Sequence, residues 1–124
     1  MKIIVCGAGE VGSNIAKQLV AEDNDVTIID ESEDLLRSIN QSLDVKSICG
    51  KPSYPSILER AGAEESDMLI AVTDNDEINI ISCQIAEYIF KVPVKVSRIK
   101  EPNYLDEKWK DLFSKSALSI RSED

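Results

Sequence analysis

The sequence predicts an α/β protein with a doubly wound parallel sheet, strand order 3-2-1-4-5, helices on both faces and an additional C-terminal helix. Three observations indicate this class: short apolar runs alternate with helical patterns, the runs lack polar alternation, and single helices separate them. Strands that are apolar on both faces need helices on both faces, and right-handed crossovers then produce the doubly wound arrangement.

Five apolar runs carry the strand prediction. The first run ends at glycines, the second ends at Asp30, and the fourth is the most continuous. Gly50 follows the third run and Pro93 precedes the fifth, so both residues punctuate the pattern. The predicted strands cover residues 3–6, 26–29, 45–49, 68–72 and 94–96.

Apolar residues at helical spacing fill the intervals between the strands. Ser32 is the predicted N-cap of the second helix, Pro55 suits the first position of the third, and Gly62 suits its end. Residues 73–76 carry N-cap chemistry for the fourth helix. A last amphipathic helix is predicted from the apolar stripe Tyr104, Leu105, Trp109, Leu112 and Phe113.

Composition excludes several function classes. The chain has 124 residues, and its net charge of −9 argues against a DNA or RNA partner. It has no histidine, the commonest general base and metal ligand, and its three cysteines form neither a zinc-ligand spacing nor a disulfide framework. No run reaches the ~20 apolar residues of a membrane span. We therefore expect no nucleic-acid partner, no metal site and no direct membrane insertion.

A G-x-G-x-x-G motif at residues 7–12 joins the first predicted strand to the first helix. Gly7 permits the tight turn, Gly9 leaves the backbone open to a pyrophosphate, and Gly12 lets helix and strand pack closely. The free N–H groups at the helix start, together with the helix dipole, favour a diphosphate. This context is typical of a Rossmann-like nucleotide site.

Asp30 ends the second strand, 18 residues after Gly12, close to the spacing expected for a ribose-binding acid. Its carboxylate can accept hydrogen bonds from both ribose hydroxyls of an adenosine and would repel a 2′-phosphate, which favours NAD over NADP. The alternative is a strand-to-helix turn with an incidental acid.

The segment after the fourth strand lies across the strand-order reversal from the glycine loop. Thr73 and Asp74 are therefore candidate ligand contacts, although plain N-capping explains them equally well. Glu77 and Asn79 fall in the first turn of the fourth helix, where a solvated helix start is the simpler interpretation.

Residues 91–100 contain four cationic side chains and no acidic one. Arg98 falls at the carboxyl end of the fifth strand, where it can pair with a phosphate or with a neighbouring subunit. For Lys91, Lys95 and Lys100 a solvated basic edge is the expected role.

Six stretches taken in order give the chain a family likeness. It resembles the N-terminal nucleotide-binding domain of the Trk-type potassium-uptake regulatory proteins, within the KTN or RCK domains. The most specific stretch is AGAEESDMLIAVTDNDEIN. The other matching pieces are MKIIVCGAGEVG, VTIID with its final acid, Gly50, LER at residues 58–60, and VSRIKEPNYL.

The resemblance implies a regulatory subunit, not an enzyme, at the cytoplasmic face of a membrane potassium transporter. It implies that NAD, as NAD⁺ or NADH, or a related adenine nucleotide binds this domain. Glu10 beside a diphosphate makes ATP or ADP less suitable than NAD. The positions that the resemblance assigns to the cofactor are Gly7, Ala8, Gly9, Glu10, Val11, Asp30, Thr73, Asp74 and Arg98.

The expected organisation is a Rossmann-type nucleotide-binding domain over residues 1–113, followed by a polar tail over 114–124 that begins a further segment. Because no strand is expected after the last helix, its aromatic stripe suits an interface in a homodimer or larger homo-oligomer. Two other functions stay open: a dehydrogenase cofactor domain, which needs a proton donor and a substrate pocket, and a dimerisation scaffold with a vestigial cleft.

Overall fold

A six-stranded parallel sheet forms the centre of the molecule, in the order β3-β2-β1-β4-β5-β6. The structure is a computed structural model that describes residues 1–114 and 118–121, with side chains through residue 112. Every strand pair is parallel. The strands are β1 Lys2–Cys6, β2 Asp25–Asp30, β3 Lys46–Cys49, β4 Met68–Ala71, β5 Val94–Ile99 and β6 Leu118–Arg121.

Helices connect the strands and cover the sheet. Short 3₁₀ turns, Ala63–Glu65 and Pro102–Leu105, precede β4 and follow β5. Among the described residues, no helix is long and apolar enough to cross a membrane. The helices are α1 Glu10–Ala21, α2 Glu33–Ser42, α3 Pro55–Arg60, α4 Asp76–Tyr88 and α5 Lys110–Ser114.

Alternate residues of each central strand face opposite helical layers. In β1, Ile3 and Val5 pack in the cluster that includes α1 and α2, whereas Ile4 and Cys6 pack in the cluster with α3 and α4. All four side chains are at most 3% exposed. Burial on both faces explains why the strands read as continuous apolar runs, and the predicted strand order 3-2-1-4-5 is confirmed.

The C-terminal part differs from the sequence prediction in two ways. A sixth strand, β6, pairs with β5 within the stretch that the sequence analysis treats as a polar tail, so the expectation that no strand follows the last helix is wrong. The long last helix is instead a 3₁₀ turn at Pro102–Leu105 and the short α5, which pack on each other. Trp109 and Leu112 are 44% and 65% exposed, and the side chain of Phe113 lies outside the described residues.

Two of the three cysteines are buried thiols, and all three are free. Burial raises the pKa of Cys6 well above its ordinary value of 9.0, and the neighbouring Cys83 raises it further. Burial also raises the pKa of Cys83 to about 12, against smaller opposing effects of Ser97 and the Lys95 charge. Both thiols therefore stay protonated in the folded chain at neutral and mildly alkaline pH.

We expect the free energy of unfolding to fall as the pH rises above 9. Once unfolded, the thiols of Cys6 and Cys83 ionise near their ordinary pKa of 9.0. The unfolded chain then binds fewer protons than the folded chain, so each thiol lowers stability by up to about 1.4 kcal/mol per pH unit. Urea unfolding at about pH 8 and about pH 10 measures this slope. Cys83→Ala should flatten it, whereas Cys49→Ala, at an exposed thiol, should not; equal slopes in both variants would contradict the assignment.

Candidate functional site

A cleft of about 470 Å³ opens where the carboxyl ends of β1, β2, β4 and β5 meet. It lies at the point where strand order reverses, the usual ligand position in open parallel sheets. The fold thus brings together residues from four separate segments, including every sequence-predicted site residue except Ala8. The lining residues are Gly7, Gly9, Glu10, Val11, Asp30, Leu35, Val72, Thr73, Asp74 and Arg98.

Two glycines of the G-x-G-x-x-G motif, one in the loop after β1 and one in the first turn of α1, are required by the fold itself. Gly7 has φ +111°, and a Cβ there would stand 3.0 Å from the Val72 carbonyl oxygen. A Cβ on Gly12 would overlap the Gly7 carbonyl, so α1 can approach β1 only with glycine at this position. The structural role predicted for Gly12 is confirmed.

Gly9 differs from both of these glycines. It is exposed, it adopts an ordinary φ of −72° as the N-cap of α1, and a Cβ built on it meets no atom within 4 Å. The chain's own packing therefore does not need glycine here. A side chain at Gly9 would occupy the mouth of the cleft, beside the first N–H groups of α1, which helix geometry leaves without helical partners.

The Asp30 carboxylate holds the loops after β1 and β2 in place through hydrogen bonds to their backbone. One oxygen accepts the Ala8 backbone N–H and the other accepts the Ser32 backbone N–H, each at 2.8 Å. Ala8 is 4% exposed and does not line the cleft; its N–H is used by Asp30, and it borders the neighbouring groove between α1 and α2. Each carboxylate oxygen can still accept a further hydrogen bond, because an ionised carboxylate offers about four lone-pair sites.

The opposite wall is held by Asn79, which is fully buried. Its side chain bonds the backbone of Thr73 and the carbonyl oxygen of Arg98. The solvated helix start expected for Asn79 is therefore wrong, although it is correct for exposed Glu77. The Thr73 hydroxyl lies 2.6 Å from Asn79 Oδ1 and also bonds the Asn75 backbone, so it is engaged within the wall.

Arg98 places a positive charge in the wall of the cleft, and its side chain is 12% exposed. Its Nη1 lies 3.7 Å from Asp74 Oδ1, and Lys100 Nζ lies 3.8 Å from the same oxygen. Because Asp74 is 95% exposed, these ion pairs contribute little to stability.

Lys95 is not on a solvated edge as expected: it is 9% exposed, donates to the Val92 carbonyl at 2.8 Å and pairs with Glu87.

Leu35 is a cleft residue that sequence reasoning missed. Helical spacing alone places it on the apolar face of the second helix, yet it is 42% exposed and lines the cleft together with Val11, which is 38% exposed. Its position in the first turn of the helix that follows Asp30 is the signal that could have identified it. These two side chains give the cleft apolar surface beside its charged groups.

Solved structures with this fold include three informative neighbours. The TrkA-N domain of the inner membrane protein ybaL from Escherichia coli has a TM-score of 0.84, 17% identity, and coverage of 98% of this chain and 87% of that chain. The Kef CTD of Shewanella denitrificans in AMP-bound form has a TM-score of 0.79 at 19% identity, covering 98% and 72%. The GsuK channel bound to NAD has a TM-score of 0.79 at 14% identity, covering 96% and 21%. At these identities the likeness establishes the Rossmann-like fold.

Curated relatives are much closer in sequence. The Trk system potassium uptake protein TrkA of Halomonas elongata is 45% identical over 120 residues, and that of Azorhizobium caulinodans is 44% identical over 120 residues. These alignments cover 97% of this chain and 26% of each relative, so the chain spans about a quarter of their length. The family model of the TrkA-N domain matches residues 3–118. With nearly its whole length matched, the chain belongs to the TrkA-N domain family.

Proposed function

We propose that this chain binds NAD⁺ or NADH in its cleft and acts as the nucleotide-sensing regulatory domain of a potassium uptake system. The observation that carries the proposal is Gly9, a loop position where glycine serves no packing purpose and keeps the helix start open. Asp30 lies at the end of the neighbouring strand, in the same cleft.

The residues fit an adenosine diphosphate moiety. The diphosphate would lie against the N–H groups at the start of α1, where the helix dipole favours negative charge. The remaining acceptor sites of Asp30 suit the ribose hydroxyls, and Arg98 supplies a cation on the opposite wall. Leu35 and Val11 provide apolar surface for a base. When bound, the nucleotide supplies a signal rather than a reaction step in this proposal.

Charge favours a dinucleotide over a triphosphate. Glu10 and Asp74 are exposed carboxylates that line the cleft with Asp30. NAD has fewer phosphate charges than ATP, so it meets less repulsion from these acids. NAD and AMP in the neighbouring structures support the nucleotide class without deciding between these ligands.

The proposed partner is a membrane potassium transporter subunit, approached from its cytoplasmic face. The names of the relatives support this partner. Nucleotide binding would favour one arrangement of paired domains over another and so bias the transporter, as a shift between two populations. In this role the chain is a peripheral regulatory component without an enzymatic step.

Nucleotide titrations test the proposal. Calorimetry and thermal unfolding with NAD⁺, NADH, AMP, ADP and ATP should show binding and a raised Tm, with NAD⁺ or NADH tighter than ATP. If no nucleotide binds or raises the Tm, the vestigial scaffold is the better function. If the protein oxidises NADH with a member of a carbonyl-substrate panel, the dehydrogenase alternative is correct.

We further propose that the chain forms a homodimer or larger homo-oligomer. The exposed apolar residues of its C-terminal half support this assembly, since exposed aromatic and aliphatic groups suit an interface core. They lie on α4 and around α5, and the sequence analysis places the last predicted helix at the interface. These residues are Ile81, Tyr88, Trp109 and Leu112.

Light scattering at high micromolar concentration should give twice the chain mass of 13.7 kDa or more. Trp109→Ala combined with Leu112→Ala should shift the equilibrium toward monomer, because both exposed side chains lose their apolar area. Val11→Ala, at an exposed apolar residue in the cleft, is the matched control. A wild-type monomer would refute the assembly, and an unaffected dimer in the double variant would move the interface away from α5.

A further inference from the structure

The buried amide of Asn79 links two strand ends at one wall of the cleft. We propose that Asn79 is a positioning residue for nucleotide binding, which acts by fixing Arg98 and the Thr73 segment in place. This inference rests on the proposed nucleotide function and assigns the residue that shapes the β4–β5 side of its site.

The hydrogen bonds of Asn79 use the whole amide group. Oδ1 accepts the Thr73 backbone N–H at 2.9 Å and lies 2.6 Å from the Thr73 hydroxyl. Nδ2 donates to the Thr73 carbonyl at 3.1 Å and to the Arg98 carbonyl at 2.9 Å. Two donors and two acceptor sites are thus all satisfied at a position with 0% exposure.

Only asparagine supplies this pattern at this length. Aspartate lacks the donors for the two carbonyl oxygens, and leucine lacks every polar group. Asn79 is also not the helix cap, because Asn75 accepts the Ile78 backbone N–H and performs that role. The buried amide therefore serves the junction between β4 and β5 rather than the start of α4.

A second anchor lies on the far side of Arg98. The Asp76 carboxylate accepts the Lys100 backbone N–H at 3.0 Å and the Glu101 backbone N–H at 2.6 Å. The backbone around Arg98 is consequently tied to the first turns of α4 at two places. Since backbone position determines where the guanidinium stands, loss of the Asn79 bonds should displace the cation from the diphosphate.

The test is a double-mutant cycle with NADH affinity as the readout. Asn79→Ala, which leaves room for a water, should weaken NADH binding about tenfold in the wild-type background. In an Arg98→Gln background, which itself binds NADH more weakly, the same substitution should cost less than about threefold. Asn79→Ser serves as a second variant should the alanine form not fold.

Ile80→Ala is the matched control, because Ile80 is buried on the same helix and does not line the cleft. It should lower the Tm while leaving NADH affinity unchanged. Equal losses from Asn79→Ala in both backgrounds, or no loss in the wild-type background, would overturn the positioning role, as would an Arg98→Gln variant with wild-type affinity. Failure of the wild-type protein itself to bind any nucleotide would instead refute the proposed function.

Discussion

Gly9→Val is expected to abolish nucleotide binding, weakening NADH affinity by at least about a hundredfold, while the sheet stays intact. The backbone at Gly9 has an ordinary φ of −72°, and a Cβ there meets no protein atom within 4 Å. The valine methyl groups would therefore occupy the space proposed for the diphosphate. Stability should fall by only about 1 kcal/mol, the usual scale for a poorer N-cap residue.

Calorimetry with NADH and circular dichroism of the same samples measure both halves of this expectation. Ala21→Val adds a similar volume at the other end of α1, on an exposed residue away from the cleft, and should bind normally. Gly12→Ala gives the opposite contrast, since its Cβ overlaps the Gly7 carbonyl and should disturb the fold. NADH binding retained in folded Gly9→Val would show that the ligand does not cross this loop.

The sheet could be predicted because its interior strands are buried on both faces. Burial of this kind requires continuous apolar runs such as Ile3-Ile4-Val5. Such a run indicates a strand even when the neighbouring strands of the sheet are not known. The sequence did not predict β6, because an edge strand needs less apolar surface than an interior one. In β6, Leu118 and Ile120 alternate with Ser119 and Arg121. The last helix was predicted too long, because the apolar spacing continues back into Pro102–Leu105, and that segment forms a 3₁₀ turn.

The cleft could be predicted where its residues lie at or near the ends of strands. Asp30, Thr73 and Arg98 fall at the carboxyl ends of β2, β4 and β5, and a parallel sheet brings such ends to one edge. The local sequence did not reveal Asn79, since a polar residue in a first helical turn ordinarily faces water. Its burial arises from the position of α4 over the β4–β5 junction, a tertiary feature without a periodic signal.

The same limit explains Lys95. Lys95 stands in a run of cations, and that composition predicts a solvated edge. Its position in β5 instead directs the side chain inward, next to the Val92 carbonyl and Glu87. Leu35 shows the reverse case, an apolar residue of an amphipathic helix that remains 42% exposed because the cleft lies beside it. Pattern assigns a side chain to a face, but the neighbouring elements decide whether that face is covered.

Asp30→Ala is expected to weaken NAD binding by about 1.5–3 kcal/mol, the range for losing hydrogen bonds to a charged group. In affinity this is a loss of about 10- to 150-fold. The variant also releases the backbone N–H groups of Ala8 and Ser32, so part of the loss can come from a looser loop. Asp67→Ala is the matched control: Asp67 accepts the Lys2 backbone N–H at 2.8 Å and does not line the cleft.

Comparison of NAD with NADP separates the two roles of Asp30. If the carboxylate binds the adenosine ribose, its charge repels a 2′-phosphate, and the wild-type protein prefers NAD. Asp30→Ala should then weaken NAD while sparing or improving NADP, so the preference between them collapses. A looser loop alone would weaken both nucleotides by the same factor. Calorimetric titration of both nucleotides into both proteins gives this ratio, and an unchanged ratio would assign Asp30 to anchoring the glycine loop only.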